Sequence, residues 1–139
     1  MGASRTVLHH LAVRVLSSPY PDLVLAGRLA YDPSDPYAVF LGVAEVHPFE
    51  GGEPPVCWTF GRDLLDRGRR EAAGEGDVLI APAADGTLLI ELHGSAGSAV
   101  LGVSGAQVGA FLDDAFAQVP AGAESGYLDL EDCLARLLV

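Results

Sequence analysis

The first sixty residues alternate between apolar and polar positions, which is the pattern of half-buried β-strands. Between residues 5 and 17 the side chains of Val7, Leu11 and Val13 fall on one parity, so this segment is predicted to be a long strand. The same pattern predicts three further strands, which cover residues 23–31, 37–46 and 56–60. Segments rich in Pro, Gly, Asp and Ser separate the strands and predict turns.

The alternation stops after residue 61. Residues 62–70 predict a short helix, with Leu64 and Leu65 as its apolar contacts. A second group of strands follows, over residues 78–81, 88–93 and 99–103. The Asp85-Gly86 pair between the first two of these strands indicates a hairpin, because Gly tolerates the positive φ that such turns require.

Two amphipathic helices are predicted at the C-terminal end. Ser104 and Gln107 fit a capping box at the start of the first helix. Its apolar stripe has helical spacing and consists of Val108, Phe111, Leu112, Ala115, Phe116 and Val119. Pro120 and Gly122 end this helix, and Asp129 caps the last one. The apolar stripe of the last helix consists of Leu130, Cys133, Leu134, Leu137 and Leu138.

The order of these elements predicts the fold class. Seven strands in groups of four and three, each group followed by a helix, indicate an α+β fold built on antiparallel sheet. Most strand connections are too short for parallel βαβ units. With 139 residues, of which 50% are hydrophobic, we expect one domain over residues 1–139 and no intrinsic disorder.

Charge is unevenly distributed along the chain. There are 19 acidic residues against 8 basic ones, all of them arginine, and the net charge is −11. Residues 71–139 hold most of the acidic excess, whereas four arginines cluster at Arg62, Arg67, Arg69 and Arg70. A basic cluster on an acidic protein is suited to directional contact with another protein. Charged side chains that only keep the protein soluble are the simpler alternative.

Cysteine content and hydropathy favour a reduced, cytosolic compartment. Cys57 and Cys133 are far apart in the sequence and form no C-x-x-C pair. We expect no signal peptide, because His9, His10 and Arg14 interrupt any apolar core near the N-terminus. No apolar run reaches the roughly 18 residues needed to span a membrane.

The sequence contains no evident catalytic or metal-binding pattern. The motif G-x-S-x-G is nearly met around Ser104, but position 106 is Ala, and a helix cap explains Ser104 better. His9 and His10 are adjacent in a predicted strand, so they point to opposite faces and cannot bind one ion together. We therefore expect no enzymatic activity, no metal and no cofactor.

Nucleic-acid binding is a weaker alternative. Trp58 and Phe60 precede the arginine cluster, as aromatic rings do in some single-strand binding surfaces. Their shared strand parity more simply places both rings in the core. The net charge of −11 also opposes binding to a polyanion.

Several short segments, taken in order, resemble one protein family. They are Leu29-Ala30-Tyr31-Asp32, Asp35-Pro36-Tyr37-Ala38-Val39, Trp58-Thr59-Phe60-Gly61-Arg62-Asp63-Leu64-Leu65, Gly74-Glu75-Gly76-Asp77-Val78, Phe111-Leu112, Val119-Pro120-Ala121-Gly122-Ala123-Glu124 and Leu128-Asp129-Leu130. Their order and spacing are similar to those of the SsgA-like proteins, which regulate sporulation and cell division in actinobacteria, and most nearly to the SsgB type. The sequence departs from the family pattern at Gly61, where Ala or Ser is usual, and over residues 46–55 and 95–105.

The resemblance implies a non-enzymatic protein of the division septum. SsgB-like proteins help to select septum sites and recruit the tubulin-like division protein FtsZ, with an SsgA-type relative as partner. They have a Whirly-like fold of two packed antiparallel β-sheets with helices, and they associate as trimers. The resemblance therefore predicts a cytoplasmic homotrimer that concentrates at the septum, binds FtsZ and does not insert into the membrane. The alternative is a Whirly-type protein that binds single-stranded nucleic acid.

Candidate protein-binding residues come from these segments and from the arginine cluster. They are Asp32, Asp35, Arg62, Arg67, Arg69, Arg70, Gly122 and Glu124. Packing within the fold or within a trimer would explain most residues of the segments equally well.

Overall fold

The computed structural model describes residues 5–19, 23–44, 56–95 and 97–127. The strands in these ranges are β1 (Val7–Val15), β2 (Val24–Tyr31), β3 (Ala38–Ala44), β4 (Val56–Gly61), β5 (Ala73–Glu75), β6 (Val78–Pro82), β7 (Thr87–Gly94) and β8 (Gly97–Ser104). The helices are α1 (Arg62–Gly68), α2 (Gly105–Gln118) and a short 3-10 helix (Glu124–Tyr127). The predicted last helix and Cys133 lie outside the described residues.

The strands form one antiparallel sheet in the order β4-β3-β2-β1-β8-β7-β6-β5. One half of the sheet consists of β1 to β4 and the other of β5 to β8, and within each half strands that are consecutive in the chain pair with each other. α1 follows the first half and α2 follows the second. The predicted α+β class, the antiparallel pairing and the position of both described helices are therefore confirmed.

Two details of the prediction differ from the structure. The described chain has eight strands rather than about seven. The prediction missed the short strand β5, because it lies in a Gly-rich segment without a hydrophobic pattern. It also has one sheet rather than two. The halves join where the end of β1 pairs with β8, at Arg14 opposite Gly102 and Val15 opposite Leu101. A pairing of two residues leaves no signal in the sequence, since alternation shows a strand but not its partner.

The sheet curls, so that its two ends approach each other and enclose the core. On the edge strand β4, the ring of Trp58 lies against Gly94 of β7. α1 follows β4 and packs on β5 and β6 of the other half, where Gly68 fits against Ile80 with no room for a Cβ atom. α2 covers the inner face of the sheet at β1 and β8.

The start of α2 follows from its sequence. The hydroxyl of Ser104 accepts a hydrogen bond from the backbone N–H of Gln107 at 3.2 Å, which satisfies one of the free donors in the first turn. Val108, Phe111, Leu112 and Ala115 are buried, as their spacing predicts. This helix ends close to α1, and the contact between them defines the candidate site.

Candidate functional site: the Arg62 junction

Three of the segments that carried the family resemblance meet at one residue, Arg62. Its backbone N–H donates to the carbonyl of Tyr37 at 2.8 Å, which ties the start of α1 to the turn between β2 and β3. Its side chain reaches the C-terminal end of α2 and then Glu124. We call this group of contacts the Arg62 junction. Segments far apart in the sequence thus share a single packing site.

Arg62 is buried, with only 1% of its surface exposed. The guanidinium donates to the carbonyl oxygens of Ala115 at 3.2 Å and Val119 at 2.7 Å. It also donates to Glu124 Oε1 at 2.9 Å. Because all these partners are internal, the prediction that Arg62 belongs to an exposed basic cluster differs from the structure.

Two aromatic rings enclose the same guanidinium. Its central carbon lies 4.2 Å from the centroid of the Phe116 ring and 4.9 Å from that of the Tyr31 ring. Cation–π attraction is stronger in such a desolvated site than at the surface. Arginine suits the site better than lysine, since its planar fork can donate to several acceptors while its faces stack on rings.

The position of Arg62 also fits the electrostatics of α2. The last turn of a helix leaves carbonyl oxygens without donors and carries partial negative charge. α2 has no basic residue in its own last turn. Arg62 supplies both the positive charge and the donors from another element, so it closes α2 onto α1.

The ionisable neighbours of Arg62 respond to this environment. The pKa of Glu124 lies below its usual value. The backbone N–H of Glu124 donates a hydrogen bond to the carboxylate, and the Arg62 guanidinium adds to this effect, whereas burial opposes it. Burial raises the pKa of Tyr31 to about 12, although the charge of Arg62 opposes this. The Tyr31 hydroxyl therefore stays protonated and donates to the carbonyl of Pro36 at 2.9 Å.

The other arginines of the cluster lie on or beyond α1 and pair with acidic neighbours. Arg67 Nε is 2.9 Å from Asp63 Oδ2, and a second nitrogen is 3.8 Å from Glu75. Arg69 and Arg70 share Asp66 Oδ1, at 3.0 Å and 3.5 Å. Each positive charge of the predicted cluster thus has a negative partner close by. Its surface is one of mixed charge rather than a basic patch.

The remaining candidate residues lie around the junction at different depths. Asp32 is partly buried, and its carboxylate accepts from the N–H and hydroxyl of Ser34 at 2.9 Å and 2.8 Å, which shapes the β2–β3 turn. Asp35 is exposed in the same turn. Gly122 is exposed and has a φ of +87°, a conformation that favours glycine. Glu124 is the candidate most directly bound to Arg62.

Sequence reasoning missed the aromatic part of this site. Phe116 was predicted only as part of the apolar stripe of α2 and Tyr31 only as the end of a strand, yet both rings flank a buried cation. Tyr37 and Tyr127 are large aromatic residues that the structure leaves exposed, at 52% and 38%. The only available signal was that Tyr31, Tyr37 and Arg62 all lie in segments that resemble the same family.

His9 shows a second contact that the sequence did not suggest. As predicted, it points to the opposite face of β1 from His10, and its ring packs edge-on against Phe111 at 5.5 Å between centroids. His9 Nε2 lies 2.7 Å from Asp114 Oδ2 on α2. This contact helps to hold α2 on the sheet.

The cavities lined by described residues differ in polarity. An apolar cavity of about 380 Å³ lies between the two halves of the sheet, with Leu25, Trp58 and Leu92 in its lining and no titratable side chain there. The described ranges contain no group of three or more His, Cys, Asp or Glu residues placed to hold a metal ion. Among the helices in these ranges, none is long and apolar enough to cross a membrane.

Comparison with known proteins identifies relatives of the whole described fold. The sequence profile of the family described as Streptomyces sporulation and cell division protein, SsgA, matches residues 25–124. The sporulation-specific cell division protein SsgB of Streptomyces coelicolor is 35% identical over 136 residues, which cover 96% of this chain and 96% of the relative. SsgB of Frankia casuarinae is 34% identical over 136 residues, covering 96% of this chain and 92% of the relative.

Solved structures agree with these sequence matches. A crystal structure of an SsgA-like sporulation-specific cell division protein from Thermobifida fusca superposes with a TM-score of 0.82 at 31% identity and covers 98% of both chains. An SsgB structure from work on longitudinal cell division during sporulation of Streptomyces coelicolor gives a TM-score of 0.78 at 31% identity. It covers 89% of this chain and 96% of the other.

Proposed function

Because the chain belongs to the SsgA family of sporulation and cell-division proteins, we propose that it helps to place the division septum by recruiting the tubulin-like protein FtsZ. The observation that carries the proposal is the match with SsgB over 96% of both chains. A match of this extent includes the Arg62 junction and the strands and helices around it.

The geometry supports a binding role rather than catalysis. The buried charges of the Arg62 junction bond to one another and to backbone carbonyls, so they hold elements together. Around the junction lie exposed residues from two segments, with Asp35 and Tyr37 in one and Gly122 in the other. Exposed aromatic side chains on a rigid support are typical of protein-binding surfaces.

We take the exposed candidates as the contact residues of the proposed complex. Asp35, Arg67, Arg70 and Gly122 are exposed, whereas Asp32, Arg69 and Glu124 are partly buried and shape the surface from beneath. Arg62 does not contact the partner in this proposal; it positions the end of α2 and the side chain of Glu124. The protein then works as a non-enzymatic cytoplasmic adaptor at the septum, with FtsZ and an SsgA-type relative as partners.

The family resemblance also underlies our proposals for assembly and fold. We propose that residues 1–139 form one SsgA-like domain that assembles as a homotrimer. The two halves of the sheet, each with four antiparallel strands and a following helix, are compatible with a Whirly-like arrangement. Light scattering at high protein concentration tests the assembly, and a monomer there would contradict it.

The alternative role in single-stranded nucleic-acid binding gains no support from the geometry. The Phe60 ring is buried and the Trp58 ring packs against the core. Arg67, Arg69 and Arg70 have acidic partners. Anisotropy measurements with short labelled oligonucleotides at low salt test this alternative, which needs tight and strongly salt-dependent binding.

Co-sedimentation with FtsZ polymers tests the proposed function. Purified FtsZ from the same organism is polymerised with GTP and pelleted with this protein at a low and a high salt concentration. We expect the protein in the pellet with polymers and not with unpolymerised FtsZ in GDP. Absence from the polymer pellet at both salt concentrations would refute direct recruitment.

A further inference from the structure

The outward face of β1, β2 and β3 is a surface that the proposed function does not use. Side chains of even number point outward on these strands, and pairing places them in rows across the sheet. One row joins His10, Arg28 and Gly42, and the next joins Leu8, Ala30 and Phe40. We call this surface the outer face. Both α1 and α2 lie on the other side of the sheet.

The outer face carries positive charge without acidic side chains. His10, Arg14 and Arg28 point outward, and no Asp or Glu occupies an outward position on the described parts of these strands. Among the residues that the structure describes, Arg28 has no ion pair and no side-chain hydrogen bond. Asp85, from the β6–β7 turn, interacts electrostatically with Arg14.

Small residues flank Arg28 along its own strand and on β3, which allows close approach from that side. Ala26 and Ala30 precede and follow it on the outward side of β2, Gly42 lies opposite it on β3, and His10 lies opposite it on β1. Arg28 itself is partly buried. It therefore loses less side-chain entropy and less hydration on pairing with a carboxylate than a fully exposed arginine would. An ion pair formed there is excluded from water by the partner and is stronger than one at an exposed site.

We propose that the outer face binds a segment of a partner protein in which a carboxylate lies beside apolar side chains. The carboxylate pairs with Arg28, and the apolar side chains contact the flat surface of small residues and the exposed Leu8. This inference about the outer face depends on the proposed function in one respect, namely that the partner is a protein. A polyanion such as nucleic acid or an anionic membrane fits less well, because the net charge of −11 repels it beyond these few cations.

Titration with a defined peptide tests the outer face without FtsZ. The ¹⁵N-labelled protein is titrated with a synthetic peptide of Glu and Leu residues and with its counterpart in which Gln replaces Glu. We expect saturable amide shifts centred on Ala12, Arg28 and Gly42 with the Glu peptide only. Arg28→Glu is expected to weaken binding at least about tenfold. Arg28→Gln is a second variant with a smaller expected loss and no new negative charge.

Arg5→Glu is the matched control. It makes the same change in net charge at an exposed arginine beside Gln118 of α2, away from the outer face. This variant is expected to bind the Glu peptide within about twofold of the wild type, since long-range charge effects are screened in salt. Equal losses for Arg5→Glu and Arg28→Glu, or shifts confined to α1, overturn the proposal.

Two further measurements distinguish a protein segment from a polyanion, and the outer face from the FtsZ contact. Tighter Arg28-dependent binding to oligothymidine or to phosphatidylglycerol vesicles than to the Glu peptide also overturns the proposal. Co-sedimentation with FtsZ is then compared for Arg28→Glu and Arg5→Glu. Peptide binding without FtsZ binding leaves the outer face supported and refutes recruitment. FtsZ binding with no peptide shifts refutes the outer face alone.

Discussion

The α1 region and the outer face both carry arginines, but in opposite circumstances. In the sequence, α1 and the residues after it hold four arginines within nine positions, whereas Arg14 and Arg28 are isolated. In the structure each of the four has an acidic partner, and Arg62 is buried as well. On the outer face, neither Arg14 nor Arg28 has an ion pair among the described residues.

This difference shows that a cluster of like charges in sequence does not define a charged surface. Helical spacing brings Asp63 beside Arg67 and Asp66 beside Arg70, each four positions apart. Alternation along β2 instead sets Arg28 between Ala26 and Ala30, on a face whose described strand positions hold no acidic side chain. The available positive charge therefore lies where the sequence has fewer arginines, and variants of the two regions should behave differently.

Arg62→Ala has the largest expected effect, a loss of about 3 kcal/mol in the free energy of unfolding. It leaves the carbonyl of Val119 without its donor and Glu124 without its cation. Urea unfolding followed by circular dichroism measures this. Arg28→Gln is the control, with an expected change within about 0.5 kcal/mol. Similar losses for both variants would remove the contrast between the two regions.

Arg62→Lys distinguishes the charge of Arg62 from its shape. Lysine keeps the positive charge near Glu124, but one ammonium cannot donate to both carbonyls and to the carboxylate with the same geometry. We expect the free energy of unfolding to fall by roughly 2 kcal/mol, so that the stability of Arg62→Lys lies between those of the wild type and Arg62→Ala. If Arg62→Lys unfolds at the same urea concentration as the wild type, charge alone holds the junction.

Glu124→Gln should cost about 1 kcal/mol at neutral pH, because Glu124 is partly exposed and only one partner of the ion pair is neutralised. The pKa of Glu124 is lower in the folded protein than in the unfolded chain. Its contribution is therefore complete above the unfolded pKa of about 4.3 and is lost as the pH falls through the lower folded value.

Urea unfolding of wild type and Glu124→Gln between neutral and acidic pH measures this contribution. The difference between the two proteins should shrink as Glu124 becomes protonated, because all other carboxyl groups are common to both. A difference that stays constant with pH would mean that the ionised form of Glu124 contributes nothing to stability.

Local pattern was sufficient to predict most of the elements but not the contacts between them. The alternation around Val7, Leu11 and Val13 reports which side of β1 is buried, and the cap at Ser104 acts on its own helix. The ion pair between Arg62 and Glu124 spans 62 positions and depends on how the sheet curls. No periodicity encodes such a distance, and burial of an arginine runs against its usual exposure.

The smallest effect is expected at the exposed ion pairs of α1. Arg67→Gln and Arg70→Gln should each change stability by no more than about 0.5 kcal/mol, since exposed pairs gain little from their attraction and are screened by salt. Their effect on FtsZ co-sedimentation tests the proposed contact residues directly. Arg5→Glu is the net-charge control for the Arg67→Gln, Arg70→Gln double variant, because both lower the net charge by two. A stable double variant that pellets with FtsZ as the wild type does would exclude Arg67 and Arg70 as contacts and leave Asp35 and Gly122 as the proposed contact residues to test next.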